Sequence, residues 1–264
     1  MRLPVEGPIS ISTIAPTLPD HGQLQTSLDP VTAAGHTRSY QRARRRSYAE
    51  RGITQGKSSF WEDAHAPFDA FSYHVIQHCH RMFNHAQQLR FFLKGDPGHD
   101  RMLSYQVQKG MVPPEMGDRI RRMIEDDGCE RYSQIGGWLN RAGYNARGAA
   151  YMPCYAYALN RVFEMQLGYA ICRVDNGAAY FLEKMGARAQ GDTMISDYYG
   201  GEVCLMSFRP PDLNPRFAGL VDTAVERLCE SSTLYLGSPQ PGDLSADQWW
   251  RTESIPIGGA ARAS

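Results

Sequence analysis

Asn145-Ala146-Arg147-Gly148-Ala149-Ala150 joins a strand-like run, Tyr132–Leu139, to a long helical run, Gly148–Gln166, and this junction decides the fold. The whole stretch from Arg131 to Phe208 reads strand, glycine-bearing turn, helix, strand, helix, strand. A strand that opens into a helix through small residues leaves backbone N–H groups unsatisfied at the helix start. Those groups, with the helix dipole, favour a pyrophosphate or another anion. Thirty positions after Gly148, Ala178-Ala179-Tyr180-Phe181-Leu182-Glu183-Lys184-Met185-Gly186-Ala187 reads as a short amphipathic helix closed by glycine. Within the first strand, Gly136 and Gly137 predict a bulge or a close backbone approach. Tyr169–Val174 reads as a short apolar strand, with Asp175 and Asn176 as the cap of the next helix. Met194–Asp197 and Glu202–Phe208 form a strand pair around Gly200-Gly201, ended by Pro210 and Pro211.

Upstream, residues 1–33 are rich in Pro, Ser and Thr and read as an irregular arm. Arg38–Arg51 reads as a basic helix with Tyr40 and Tyr48 inward and Arg42, Arg44, Arg45, Arg46 and Arg51 around them. Such a cluster is usually a solvated face, and it also suits the docking of an acidic carrier protein. Residues 55–69 form a polar loop holding Trp61, Glu62, Asp63 and Asp69. Phe71–His78 reads as a strand paired with Gln88–Leu93, with Cys79–Gln87 as a polar connector. Pro113–Asp127 has the 3-4 spacing of a helix at Met116, Ile120, Met123 and Ile124, stopped by Gly128. Phe217–Cys229 is a further amphipathic helix, and the Pro/Gly/Ser-rich tail carries Trp249 and Trp250 as docking residues. The organisation expected is an arm (1–33), a core (34–210), and a C-terminal helix and tail packed on the core (211–264).

The bulk composition narrows the classes. Among 264 residues, 28 basic and 28 acidic side chains cancel, so no global charge draws the chain to nucleic acid or an anionic membrane. No apolar run approaches the roughly 18 residues of a membrane span. The proline-bearing N-terminus lacks the apolar segment of a secretory signal, so a cytoplasmic protein is expected. The six cysteines are scattered with no CxxC pair, which reads as unpaired, mostly buried thiols rather than a zinc site. His78, His80 and His85 cluster near the hairpin, where a polar strand is preferred over a metal site, and no metal is expected.

The order and spacing over residues 38–208 resemble the Gcn5-related N-acetyltransferase (GNAT) superfamily. Within it the similarity is to the acyl-homoserine-lactone synthases and the long-chain N-acyl amino acid synthases. Those families carry an Arg-rich first helix, then a Trp and spaced acidic residues, then an Arg on the second hairpin strand. Here Arg42, Arg45 or Arg46, then Trp61, Asp63 and Asp69, then Arg90 occupy those places. The resemblance implies an α/β (α+β) fold: a mixed, mostly antiparallel central sheet with splayed central strands, flanked by helices, with the acyl donor in the gap. It implies an N-acyltransferase moving a fatty acyl group from acyl carrier protein (ACP) or coenzyme A (CoA) to the amine of a small molecule, amino acid or peptide. No tightly bound cofactor is expected beyond that acyl-ACP or acyl-CoA donor.

This chain departs from the pattern in three places. Asn145 begins the anion turn where Gln or Arg is usual, and Arg147 offers the alternative phosphate contact. Leu182 stands where the family has the Tyr that protonates the departing thiolate, and Tyr180 lies two residues earlier, about 200° around the helix. Gln134 and Gly137 stand where the homoserine-lactone synthases have Glu and Arg. Three alternatives stay open: an autoinducer synthase of that type, against which Gln134 and Gly137 count; a short-chain CoA-dependent acetyltransferase; and a catalytically idle GNAT-like module that binds a protein.

Acyl transfer from a thioester needs a neutral amine, N–H donors where charge develops on the carbonyl, and close positioning of the two reactants. Gly136, Gly137 and Trp138 are the candidate backbone donors; the rival reading is that the glycines only permit a bulge. Leu139, Asn145, Arg147, Gly148, Ala149 and Ala150 are the candidate donor-binding positions. Trp61, Asp63, Asp69, Arg90 and Gln134 are candidates for the acceptor side, with Asp63 and Asp69 as anchors of a cationic acceptor. Glu202 and Asp197 are candidate bases or amine-binding carboxylates, with solvated strand edges as the alternative. Tyr180 is groove lining or a proton donor.

Overall fold

The computed structural model describes residues 9–14, 40–49, 65–79, 82–140 and 151–230. Among the described residues the sheet has eight strands: β1 (Ile9–Ile14), β2 (Tyr73–Cys79), β3 (Met82–Leu93), β4 (Arg131–Asn140), β5 (Leu167–Arg173), β6 (Arg188–Ala189), β7 (Met194–Ser196) and β8 (Gly201–Phe208). The spatial order is β1-β2-β3-β4-β5-β8-β6, with β7 also on β8. Every pairing is antiparallel except β4 with β5. A parallel pair needs a crossover, and here the helix α4 (Tyr151–Val162) lies within it. The other helices are α1 (40–49), α2 (Pro97–Gln108), α3 (Pro114–Asp126), α5 (Ala178–Lys184) and α6 (Ala218–Glu230).

Strand alternation divides the core in two. Tyr73, Val75, Leu89, Phe91, Ile135, Ala170 and Met206 join Met152–Leu159 of α4 and Val221 and Ala224 of α6. On the opposite face Tyr132, Leu167, Tyr169, Val203 and Leu205 meet Tyr40 and Tyr48 of α1, Met102 and Leu103 of α2, and Met116, Ile120 and Ile124 of α3. Each of the fully buried aliphatic side chains contributes about 1.5–3 kcal/mol. Cys129, Cys154, Cys172 and Cys204 are buried and form no disulfide, and burial pushes the Cys154 thiol up to about 12.

The sequence-based elements need four corrections. Ile9–Ile14, inside the stretch expected to be irregular, is an edge strand paired along β2 from Ile14↔His74 to Ile9↔Cys79; its Ile-Ser alternation carries period two. The second hairpin strand begins at Met82, so most of the expected connector is paired strand. Helix α2 was not anticipated; Asp96 caps it by accepting a hydrogen bond from the Gly98 N–H at 2.6 Å, and Pro97 opens it. Helix α4 ends at Val162 rather than Gln166, because Leu167 already belongs to β5. The expected strand pair around Gly200 and the helices at 114–126, 178–184 and 218–230 stand where the spacing put them. Among the described residues no helix is long and apolar enough to cross a membrane.

Candidate functional site

The parallel pairing of β4 and β5 runs only from Tyr132↔Leu167 to Ile135↔Ala170. Beyond Ile135 the two strands part. The cause lies in the glycines. Gln88 pairs with Gly136 and Ala86 with Leu139, so Gly137 and Trp138 both stand against Gln87. This is a bulge, with Gly137 at φ +58°, a conformation that favours glycine. The turned Gly137 carbonyl accepts a hydrogen bond from the Tyr40 hydroxyl at 2.9 Å. A Cβ on Gly137 would lie 2.5 Å from that hydroxyl and 2.8 Å from Gln88 Oε1. The bulge therefore bends β4 away from β5, and among the described residues its β5-facing edge has no ladder partner past Ile135. Trp138 packs against the α4–α6 core, and its indole Nε1 is buried with no acceptor among the described residues.

Beneath the opening, on the α1–α2 face, lies a buried polar layer. On α1 the inward stripe is Tyr40, Arg44, Ser47 and Tyr48, at i, i+4, i+7 and i+8. Arg44 is fully buried and grips Asp69 with both terminal nitrogens, at 2.8 and 2.6 Å. Asp69 also accepts from Gln88 Nε2 at 2.5 Å. Ser72 Oγ accepts from Gln88 Nε2 and from Arg90 Nε, each at 3.0 Å. Arg90 Nη1 donates to Gln134 Oε1 at 2.7 Å, and Gln134 Nε2 donates to Gln106 Oε1 at 3.0 Å. His65 Nε2 meets the hydroxyls of Tyr48 at 3.3 Å and Tyr199 at 3.0 Å. His74 Nε2 lies 2.9 Å from the Asp69 carbonyl.

The electrostatics follow from burial. Burial raises the Asp69 carboxyl, but the Arg44 guanidinium beside it and the hydrogen bonds it accepts bring it below its ordinary value. Burial, and then the positive charges of Arg44 and Arg90, hold His65 well below the usual imidazole value. Burial brings His74 down to about 4 against the opposing pull of Asp69, and lowers Arg90 to about 10. Both imidazoles are neutral at pH 7. His65, Arg90, Gln106, Gln134, Gly136 and Tyr199 line a narrow pocket that opens where the strands part. Its free space is about that of one water molecule.

The structure sorts the sequence candidates. Arg90, Gln134 and Gly136 line this pocket; Asp69 and Gly137 lie outside its lining, Asp69 bound to Arg44 and Gln88 and Gly137 to Tyr40. Asp69 is not an anchor for a cation, because it is 1% exposed and consumed by Arg44. Arg44, placed with the solvated arginines, is an interior residue; Arg42, Arg45 and Arg46 remain on the outside. Glu202 and Asp197 are exposed and are not lining residues of the pocket. Tyr180 is 56% exposed, with its ring against Phe181 and under the Lys184 ammonium, so it is neither core nor pocket lining. Leu139 is described only as β4 backbone. Trp61, Asp63, Asn145, Arg147, Gly148, Ala149 and Ala150, the Trp249-Trp250 pair and His80 lie outside the described residues. Sequence reasoning missed His65, Ser72, His74, Gln88, Gln106 and Tyr199. Gln88 and His74 alternate with Leu89 and Val75, a period-two signal of an inward polar row.

No family model matches the chain, and no curated protein matches it. Solved structures do. A Drosophila melanogaster polyamine N-acetyltransferase, which forms N-acetylagmatine, matches at 11% identity over 76% of this chain and 99% of its own, with a TM-score of 0.53. An apo agmatine N-acetyltransferase matches at 11% identity over 76% and 99%, with a TM-score of 0.52. FeeM, an N-acyl amino acid synthase from uncultured soil microbes, matches at 8% identity over 71% and 90%, with a TM-score of 0.45. The fold is that of the Gcn5-related N-acetyltransferases.

Proposed function

We propose that the chain is an N-acyltransferase that moves an acyl group from a coenzyme A or acyl-carrier-protein thioester to the amine of a small molecule. The observation that carries this reading is the gap between parallel strands β4 and β5 beyond Ile135, opening directly over a lined polar pocket. A thioester laid along the β4 edge past Ile135 lies beside Gly136, Gly137 and Trp138, where an N–H directed away from β3 can donate to its carbonyl. Preorganised donors of this kind stabilise the oxyanion of a tetrahedral intermediate. The small-residue segment Arg147–Ala150, which precedes α4 in sequence, is the site this reading assigns to the donor phosphate. Exposed Arg42, Arg45 and Arg46 on α1 suit an acidic carrier protein.

The chemistry then balances without a metal. The amine lone pair attacks the thioester carbon, the C–S bond breaks, and the nitrogen proton ends on the departing sulfur. The bound nitrogen becomes far more acidic as the C–N bond forms, so a weak neutral base suffices. His65 is neutral, lines the pocket and touches two tyrosine hydroxyls, which makes it the proton acceptor of this scheme. Acyl length within this class is tested by the same assay as the activity. Wild-type protein is incubated with acetyl, octanoyl and palmitoyl thioesters of both carriers and a mixture of amines, and thiol release is followed. Amine-dependent thiol release is the expected result, lost in Gly148→Glu through failure of donor binding. Thiol release that ignores added amine, or donor affinity unchanged in Gly148→Glu, refutes the scheme.

A further inference from the structure

We propose that the groove between α3 and the β6–β8 edge binds a small organic anion, a phosphate monoester or a dicarboxylate, at a site separate from the pocket under the strand gap. The two share no lining residue. Phe208, which lines the groove, pairs with Gly168 at the start of β5, whereas β4 and β5 part beyond Ala170, toward its other end. The inference therefore stands whether or not the chain transfers acyl groups. The groove holds about 470 Å³, within the range of roughly 300–1,000 Å³ usual for small-molecule clefts.

Helix α3 buries one stripe, Met116, Ile120 and Ile124, in the core. Arg119, Arg122, Met123 and Asp126, at i, i+3, i+4 and i+7, share another face and form one wall of the groove. Arg188, Gln190, Ser207 and Arg209 form the opposite wall. Two arginines cross between the walls. Arg119 Nη1 donates to the carbonyls of Gln190 at 2.7 Å and Asp192 at 3.3 Å, and Arg209 Nη2 pairs with Asp127 at 2.5 Å. At 1.5 Å of rise per residue these bridges stand about 12 Å apart along the helix, and they frame the groove.

The charges inside that frame do not balance. Asp127 neutralises Arg209, Arg119 meets only neutral carbonyls, and Arg122 and Arg188 form no ion pair among the described residues. Against these three guanidiniums stand two carboxylates, Asp126 and Asp212, likewise without an ion pair among the described residues. One positive charge is left over in a concave surface, where low-dielectric walls focus its field. A guanidinium fork offers a carboxylate or phosphate two parallel N–H donors. Gln190 Nε2 donates to Ser207 Oγ at 2.8 Å, which leaves the serine O–H to donate to a ligand. Met123 and Phe208 supply apolar lining for a carbon skeleton. The aspartates limit the ligand's size: they repel an extended polyanion, and a molecule with one or two negative groups fits between them.

Calorimetry on the full chain tests this with inorganic phosphate, phenyl phosphate and succinate, each against sodium chloride at matched ionic strength. Saturable binding of at least one of the three, which chloride does not reproduce, is the expected result. The tighter of phenyl phosphate and succinate identifies the head group. The double variant Arg122→Gln/Arg188→Gln weakens that binding about tenfold or more, the loss expected when hydrogen bonds to a charged group are removed. Asp126→Asn tightens it, because a carboxylate that repels the ligand is gone. The anion ties α3 to the strand edge in the folded state alone, so Tm rises with its concentration in wild type and not in the arginine variant. Arg122 and Arg188 are exposed, so the variant keeps the wild-type circular dichroism. No saturable binding of any of the three anions, or an affinity unchanged in the arginine variant, overturns the inference.

Discussion

Replacing Arg44 with methionine tests the buried layer at its anchor. The substitution keeps the bulk of the side chain and removes both hydrogen bonds to Asp69, at 2.8 and 2.6 Å. Hydrogen bonds to charged groups are worth about 1.5–3 kcal/mol each, which gives about 3–6 kcal/mol for the pair. Breaking a buried ion pair from one side costs about 3–5 kcal/mol, because the remaining charge stays in the interior. The expected loss is therefore about 4 kcal/mol, a large part of the roughly 5–15 kcal/mol that holds a domain together. Urea unfolding followed by far-ultraviolet circular dichroism measures it as a fall in midpoint at constant slope. The double variant Arg44→Met/Asp69→Leu, which removes both charges, recovers most of the loss. A cost near that of a surface pair, below about 1 kcal/mol, would refute the argument. So would a wild-type stability that falls steeply with salt at constant pH.

Three further predictions follow from named contacts. Gly137→Ala forces a side chain into a left-handed residue and sets its Cβ 2.5 Å from the Tyr40 hydroxyl; strain of about 1–2 kcal/mol plus overpacking of about 1–3 kcal/mol makes it far costlier in urea than Gly136→Ala, whose nearest contact is 3.8 Å. The folded-state pKa of His74, and likewise of His99, is about 4. The unfolded chain then binds more protons between about pH 6.5 and 4, so stability is full above that window and falls through it, by about 3 kcal/mol for His74. His74→Asn flattens that slope, and an unchanged slope in stability measured from pH 7 to 4 would contradict the burial. Tyr180→Phe leaves thioester turnover within about twofold of wild type, whereas a general acid would cost on the order of 100-fold or more.

The second half of the fold was legible because its signals are local. Glycines, caps and apolar spacing between Arg131 and Phe208 act over a few residues, and the Gly136-Gly137 pair announced the bulge that parts β4 from β5. The first half was harder because its inner faces are polar. Helix α2 buries His99, Met102, Leu103 and Gln106, a stripe at i, i+3, i+4 and i+7 that hydrophobic periodicity counts as half missing. Arg44 sits four residues from both Tyr40 and Tyr48 and so belonged to the inward face, yet an arginine among arginines reads as solvent-facing. Its inward place depends on Asp69, 25 residues away in sequence, and no local rule pairs the two. The buried Nη2 of Arg90, with no acceptor among the described residues, is likewise a tertiary fact: whether a guanidinium is satisfied depends on what Ser72, Gln88, Asp69 and Gln134 do first.

Mass spectrometry of the reaction mixture tests the central claim most directly. The purified chain is incubated with acyl-coenzyme A and acyl-carrier-protein thioesters and a full set of amino acids, and the mixture is searched for masses equal to amine plus acyl group. The account predicts an amide product formed only with enzyme, thioester and amine together. No amide from any combination, in protein that also fails to bind either thioester by calorimetry, would contradict it and leave the fold without the transfer chemistry.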